Sequence, residues 1–248
     1  MKLKEHKKKF FNSGFIIIRN IFKKEQIKEI LNELELIKKK VIKKKIRQFY
    51  HETKDGNINT IHDIQKIHKQ GYLKKISKNS KIIKIAKAIL EDDPIIRNME
   101  FFLKPKLTGL ASPFHQDNFY WNIEDAKALN VWIACTKSNK KNGGVVYLSG
   151  SNKLGTLNHK LSYAKGSSQK IEDFVLKNLN FKKIFPNLNV GDCVFHHPNV
   201  IHGSMNNKSS FDRIGFVISY KAKKAKIDKK KIKLYQKNII KNLSKIYN

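Results

Sequence analysis

His115, Gln116 and Asp117 follow one another, Trp121 lies just beyond, and far downstream stand His202-Gly203-Ser204 and Arg213. In an extended strand, residues two apart share a face, so the imidazole of His115 and the carboxylate of Asp117 are expected on one side of the chain. A second imidazole brought in from a distant strand by His202 completes three ligands, two histidines and one carboxylate. That set is suited to a non-haem Fe(II) centre, because it holds the ion on one side and leaves adjacent coordination positions open. Two neutral imidazoles and one carboxylate also leave one net positive charge on the ion, which attracts an anionic chelator.

A His-x-Asp tripeptide arises often by chance, so its setting matters. Here the pair follows Pro113 and a strand-like run, and His202 opens its own motif after a Gly191-Asp192 turn. Neighbouring residues in a strand face opposite ways, so at most one of His196 and His197 points inward. We read His196 as packed or hydrogen-bonded near the site, His197 as structural, and His202 as the ligand. Arg213 lies eleven residues beyond His202 on the next apolar run. With the two strands joined by a turn, its guanidinium is expected at the far end of the pocket, where its fork suits the distal carboxylate of a dicarboxylic keto acid. The Ser204 hydroxyl is a second donor to that group.

The elements around these residues read as strands and flanking helices. Residues 14–19 are a β-branched run, and 24–38 place Ile27, Ile30, Leu31, Leu34 and Ile37 at helical spacing, as do Ile76, Ile82, Ile85, Ala86 and Leu90 in 74–90. Between them, residues 39–70 are basic and polar, with a turn at Asp55-Gly56-Asn57. From residue 100 the texture changes to short strands over 101–106, 113–121, 129–136, 145–151, 190–197, 200–204 and 213–222. Such strands, separated by Gly, Pro and Asn, predict a mainly β (α+β) fold with flanking helices, a double-stranded β-helix or cupin-like jelly roll. The stretch 152–189 lacks a strand pattern, has one short helical piece near 171–179, and is expected to form a lid or substrate loop. Phe101 and Phe102 alternate faces, so one borders the pocket; Trp132 reads as core. Residues 1–222 are read as the principal domain and the Lys-rich 223–248 as a C-terminal helix docked by Ile232, Tyr235, Ile239, Leu243 and Ile246.

At 248 residues and 40% hydrophobic composition the chain is long and apolar enough for one domain with a sizeable core. A formal charge of +32 would ordinarily suggest a polyanionic partner. Of the 52 basic residues only Arg19, Arg47, Arg97 and Arg213 are arginine, so 48 are lysine, alongside abundant Ile and Asn. AT-rich coding produces that bias whatever the protein does, and we read the charge as compositional. Where lysine serves every generic need, Arg213 stands out as chosen for its fork; the other three arginines are read as chance survivors. Cys135 and Cys193 show neither CxxC spacing nor a disulfide framework, which suits a reducing, cytoplasmic setting. Asn12, Ser13 and Gly14 interrupt the only early apolar stretch, so no signal peptide or transmembrane segment is expected.

Taken together, GFIIIRNIFKKEQI near the start, HQDNFYW, ALNVWIACT with NGGVVYLSGSNKLG, and GDCVFHHPNVIHGSMNNKSSFDR resemble the phytanoyl-CoA dioxygenase family of Fe(II)/2-oxoglutarate oxygenases, over about residues 11–220. The resemblance implies iron ligation by His115, Asp117 and His202 and 2-oxoglutarate binding by Arg213 and Ser204. It further implies that Gln116 and Trp121 line the co-substrate pocket, with Lys104 as an additional contact. One departure is Asn152, where the family often has His. Retention of Asp117, which halogenating relatives replace by a small residue, points to hydroxylation. The implied reaction consumes O2 and 2-oxoglutarate and yields succinate, CO2 and a hydroxylated small molecule. Two alternatives stand beside it: nucleic-acid demethylation by another branch of the same superfamily, whose members usually carry a second Arg soon after the first, and a non-catalytic basic binding module. Nucleic acid is not the expected partner, and the oligomeric state is not readable.

Overall fold

The structure, a computed structural model, describes residues 2–53, 55–164, 167–235 and 237. In chain order its strands are β1 Phe15–Ile18, β2 Tyr50–Glu52, β3 Ile58–Ile61, β4 Pro94–Lys104, β5 Ser112–His115, β6 Ala128–Ala134, β7 Val145–Leu148, β8 Lys160–Ala164, β9 Ser167–Lys170, β10 Lys183–Ile184, β11 Cys193–His196, β12 His202–Ser204 and β13 Arg213–Ala222. The helices are α1 Lys2–Ser13, α2 Lys24–Lys43, α3 Ile64–Ile67, α4 Tyr72–Ile76, α5 Ser80–Leu90, α6 Asp117–Trp121 and α7 Asp173–Lys177. Among the described residues the strands form a seven-stranded sheet ordered β1-β11-β6-β13-β4-β3-β2, a four-stranded sheet ordered β10-β7-β12-β5, and a two-stranded sheet of β8 and β9. Neighbouring strands pair antiparallel, giving the expected jelly roll.

Side-chain alternation makes the large sheet two-faced. Met99, Phe101 and Leu103 of β4, Leu129, Val131 and Ile133 of β6, Phe195 of β11 and Phe216, Ile218 and Tyr220 of β13 are buried on one face, against Ile27, Ile30, Leu34, Ile37 and Val41 of α2 and Ile82, Ile85, Ala86 and Ile89 of α5. The α2 positions keep i, i+3, i+4, i+7 spacing, so one stripe of that helix is apolar while its opposite side carries lysines. Each fully buried Ile or Leu contributes about 1.5–3 kcal/mol, so this layer is where most of the hydrophobic stabilisation of the helical cover lies. Asn79 caps α5 by accepting hydrogen bonds from the backbone of Lys81 at 3.0 Å and Ile82 at 3.3 Å.

The opposite face of the same strands carries the intervening residues. These are Glu100, Phe102 and Lys104 of β4, Asn130, Trp132 and Ala134 of β6, Val194 and His196 of β11, and Arg213, Gly215, Val217 and Ser219 of β13. This inner face looks onto the four-stranded sheet, and Phe15, Trp132, Tyr147, Leu188, Val194, Val200 and Val217 make a second apolar cluster there. Its polar residues are the raw material of a site.

Several local features depart from the sequence reading. Lys2–Ser13 is helical, β2 and β3 pair antiparallel and extend the large sheet, and the expected loop 152–189 contains the paired strands β8 and β9. These strands are short and lack clean alternation, which is why their pattern is silent. Arg19 is no chance survivor: its guanidinium pairs with Asp192 at 2.6 Å, and that carboxylate also accepts from Asn20 and Asn189 backbone amides at the turn into β11. Residues 229–235 are helical, and Tyr235 packs edge-on against Phe119 and Tyr120, with ring centroids 6.0 and 5.8 Å apart. Ile239, Leu243 and Ile246 lie outside the described residues. Among the described residues no helix is long and apolar enough to cross a membrane.

Gly215 on β13 lets the Trp132 ring lie flat across that strand, since a Cβ there would fall 2.2 Å from Trp132 Cζ2. Gly215→Ala should therefore lower unfolding free energy by about 1–3 kcal/mol through overpacking. A urea midpoint matching wild type would show that the ring is not held there.

Candidate metal centre and its cavity

His115 and His202 sit directly opposite each other on β5 and β12, and their ring centroids are 4.4 Å apart. Cross-strand pairing thus brings together two imidazoles separated by 87 positions in the chain. Each ring is fixed by its own strand: His115 Nδ1 lies 2.8 Å from the Pro113 carbonyl oxygen and His202 Nδ1 lies 3.1 Å from that of Val200. A carbonyl can only accept, so Nδ1 carries the proton and the Nε2 lone pairs face the cavity. Asp117 arrives by a route the sequence reading missed. Gln116 is extended, at φ −125° and ψ 133°, but Asp117 already begins α6. The pair converges through the strand-to-helix turn, not through a continuous strand. His115 Nε2 is 3.8 Å from Asp117 Oδ1, and His202 Nε2 is 3.8 Å from Oδ2. One ligand atom from each residue lies within 4.8 Å of the others.

Asp117 is also held from behind. Asn130 Nδ2 donates to its Oδ2 at 2.7 Å, and His196 Nε2 lies 3.0 Å from the same oxygen. The Ser219 hydroxyl donates to Asn130 Oδ1, which orients the amide nitrogen toward Asp117. Tyr147 supports His196 through its hydroxyl, 3.1 Å from Nδ1. Burial alone would raise the Asp117 carboxyl, but the imidazoles of His202, His196 and His115 outweigh it and hold the group well below the ordinary carboxylate range. Burial, with His202 beside it, pushes His115 down to about 4, and burial also lowers His202. The donor set at neutral pH is therefore two neutral imidazoles and one carboxylate, the protonation states that a divalent transition metal requires.

The three residues line a cavity of about 80 Å³. Arg213 and Ser204 line it too, as do Phe102, Trp132 and Glu100. Arg213 is 2% exposed. Its Nη2 donates to the Gly143 carbonyl at 3.2 Å and its Nη1 to that of Phe102 at 3.4 Å. Its Nε has no partner, and its guanidinium sits 5.6 Å from the Trp132 ring centroid. Burial brings Arg213 down to about 10, so it remains a cation at neutral pH. Among the described residues no carboxylate pairs with it. The chain from His202 reaches it by crossing from the four-stranded to the seven-stranded sheet, so the two residues face each other across the layers instead of along a hairpin.

Three other expected residues lie outside this cavity. The Gln116 amide donates to the carbonyls of Gly155 and Asn199, both at 2.7 Å, and accepts from the Leu157 backbone at 2.7 Å, tying the 152–189 stretch down. Trp121 packs with Ile123 and Ala128 beneath the Arg97 guanidinium, 4.7 Å from its ring centroid. The turn into α6 rotates these side chains away from the direction Asp117 takes. Lys104 is opposite Arg213 in the β4–β13 register, but its Nζ donates to the carbonyls of Leu110 and Met205. Burial, with Arg213 beside it, brings it down to about 6.

Trp132 is core as expected and also forms a cavity wall, and Asn130, Ser219, Tyr147 and Glu100 are functional neighbours that the sequence reading does not single out. Their signal was present. Once Phe101 and Leu103 face the helices, Glu100 must face inward. His197 is structural as expected, packed against Phe10 and Phe11, and Phe102 is the member of its pair that borders the pocket. His159 accepts from the Gln116 backbone at 2.9 Å and stacks on Phe119.

Burial pushes the Glu100 carboxyl up to about 7, with Arg97 opposing and Asp117 reinforcing the shift. A carboxyl raised in the folded state costs stability once pH exceeds its unfolded value near 4.5, and the cost is complete above about 7. In metal-free protein, Glu100→Gln should thus be more stable than wild type at pH 8, by about 1–3 kcal/mol, with the gap closing below about pH 5. Parallel stability curves from pH 4 to 8 would contradict this.

Comparison with known proteins identifies the family and the fold. The family model described as Phytanoyl-CoA dioxygenase (PhyH) matches residues 10–215. A Phytanoyl-CoA dioxygenase domain-containing protein 1 homolog of Caenorhabditis elegans is 27% identical over 186 residues, 59% of this chain and 64% of that protein. The peroxisomal phytanoyl-CoA dioxygenase of Homo sapiens is 24% identical over 222 residues, 83% of this chain and again 64% of the relative. The match thus spans somewhat under two thirds of these relatives' length. Among solved structures, EctD from S. alaskensis with bound Fe superposes with a TM-score of 0.74 at 18% identity, covering 91% of this chain and 78% of that one. That likeness establishes the fold, and the family match over most of the sequence establishes the lineage: the chain belongs to the phytanoyl-CoA dioxygenase family.

Proposed function

We propose that this chain is a non-haem Fe(II)- and 2-oxoglutarate-dependent dioxygenase that hydroxylates a small molecule and releases succinate and CO2. The observation that carries this reading is one cavity with two complementary features. His115, Asp117 and His202 converge on one point, and Arg213, buried and without a carboxylate partner, lines the same space.

In this reading His115 and His202 hold iron through Nε2 and Asp117 through its carboxylate. Bound Fe(II) supplies the redox chemistry that couples 2-oxoglutarate decarboxylation to attack on an unactivated C–H bond by O2. The chain's own part is positional. Asn130 and His196 fix the rotamer of Asp117, and the backbone carbonyls of Pro113 and Val200 fix the two ring tautomers. Arg213 and the Ser204 hydroxyl receive the far carboxylate of the co-substrate, while Trp132 and Phe102 keep water from the guanidinium. Gln116, Trp121 and Lys104 support the surrounding loops. We assign residues 1–222 to the catalytic domain and the Lys-rich stretch from 223 onward to a C-terminal extension, of which the helical residues 229–235 pack on the domain through Tyr235. The buried free thiols Cys135 and Cys193 fit a reducing cytoplasm.

Wild-type protein should bind about one Fe(II) per chain under anaerobic titration, and Asp117→Ala should abolish succinate formation. Coupled turnover persisting in that variant would remove Asp117 from the ligand set. Arg213→Lys should raise the half-saturating 2-oxoglutarate concentration roughly 10–100-fold, the loss of a charged, two-pronged contact. Fe(II) binding should be untouched; an unchanged co-substrate requirement would take Arg213 out of this role.

A further inference from the structure

We propose that Glu100 selects the substrate, by presenting its carboxylate to a cationic nitrogen, an ammonium, amidinium or guanidinium, on the molecule that is hydroxylated. This rests on the oxygenase reading above and adds a substrate class to it.

Glu100 lines the same cavity as His115, Asp117 and His202. In the large sheet it stands opposite Val217, and Val217 stands opposite Trp132, whereas Arg213 is opposite Lys104. Four residues of strand therefore separate the levels of Glu100 and Arg213, about 13 Å. The cavity is thus polarised along β4 and β13. One end offers Arg213 and Ser204 to an anion, and the other offers Glu100.

Two carboxylates face this space, and they differ in their commitments. Asp117 is hydrogen-bonded to Asn130 and His196 and faces two imidazoles. Glu100 makes none of the ion pairs found among the described residues, and the Asn98 side chain is its hydrogen-bonding neighbour. The charged groups around it are Arg97, Asp117 and Asp63. Arg97, the one cation among them, is stacked over Trp121 instead of paired with the carboxylate. A partly buried carboxylate with a single amide partner is costly unless a cation completes it. The apolar walls beside it, Phe102 and Val217, accept a carbon skeleton but no charge. The complementary ligand is a compact aliphatic body bearing a positive nitrogen.

The test uses the full chain loaded anaerobically with Fe(II) and 2-oxoglutarate and titrated calorimetrically with matched probes: hexylammonium, hexylguanidinium, 1-hexanol and hexanoate. The two cations should bind roughly tenfold or more tightly than the alcohol and the carboxylate. Glu100→Gln, isosteric and folded by circular dichroism, should abolish that preference while Fe(II) and 2-oxoglutarate affinities stay within about twofold. Glu100→Asp should retain part of it. Equal binding of hexanol or hexanoate to wild type, no measurable cation binding, or a preference that survives Glu100→Gln would overturn the proposal. Failure of wild type to bind Fe(II) or 2-oxoglutarate, measured on the same preparations, would instead overturn the oxygenase reading.

Discussion

One largely enclosed carboxylate, that of Asp117, organises the space between the two sheets. An isolated carboxylate there would be expensive to keep charged. Its charge is sustained by the hydrogen bonds that Asn130 and His196 bring to one oxygen, while His115 and His202 face the carboxylate from the cavity side. Those four residues come from β6, β11, β5 and β12, so the surroundings of this one side chain draw on both sheets. The site and the fold are in this sense one object: the carboxylate is anchored from the large sheet and its two facing imidazoles come from the small one.

The division of labour across the large sheet follows from the same logic. Its strands alternate apolar residues toward α2 and α5 with polar or aromatic residues toward the small sheet. The helical layer supplies hydrophobic stabilisation, which leaves the inner face free to carry groups that stability alone would not favour. Arg213 is such a group, with an unpaired Nε and no carboxylate beside it. Glu100 is another. Cavities of this kind are places where local energy is sacrificed, and the surrounding packing of Trp132 on Gly215 shows how tightly the sacrifice is framed.

The strong positive charge of the chain is not mirrored at this cavity. Its lining residues include one arginine and two acids and no lysine, in contrast to a sequence with 52 basic residues in all. Lysine abundance is a property of the outer faces of helices such as α2. The cavity retains arginine where a rigid fork matters.

Much of this was legible in the linear order of residues. The strand runs from 129 to 136 and 213 to 222, the helix beginning at 24, and the trio His115, Asp117 and His202 could be read because each rests on a local signal: alternation, 3.6-residue periodicity or a short spacing. Short strands such as Tyr50–Glu52 and Lys160–Ala164 gave no such signal. What the linear order could not decide was rotation and layer. Whether Asp117 continues a strand or starts a helix, whether Gln116 and Trp121 turn toward or away from the cavity, and whether β12 and β13 share a sheet depend on contacts between residues far apart in the chain. The sequence by itself determined which chemistry was available, because side-chain type is local. Which groups meet is a matter of tertiary structure, because the pairing of His202 with His115 and the placement of Glu100 and Arg213 along one cavity are set by sheet packing.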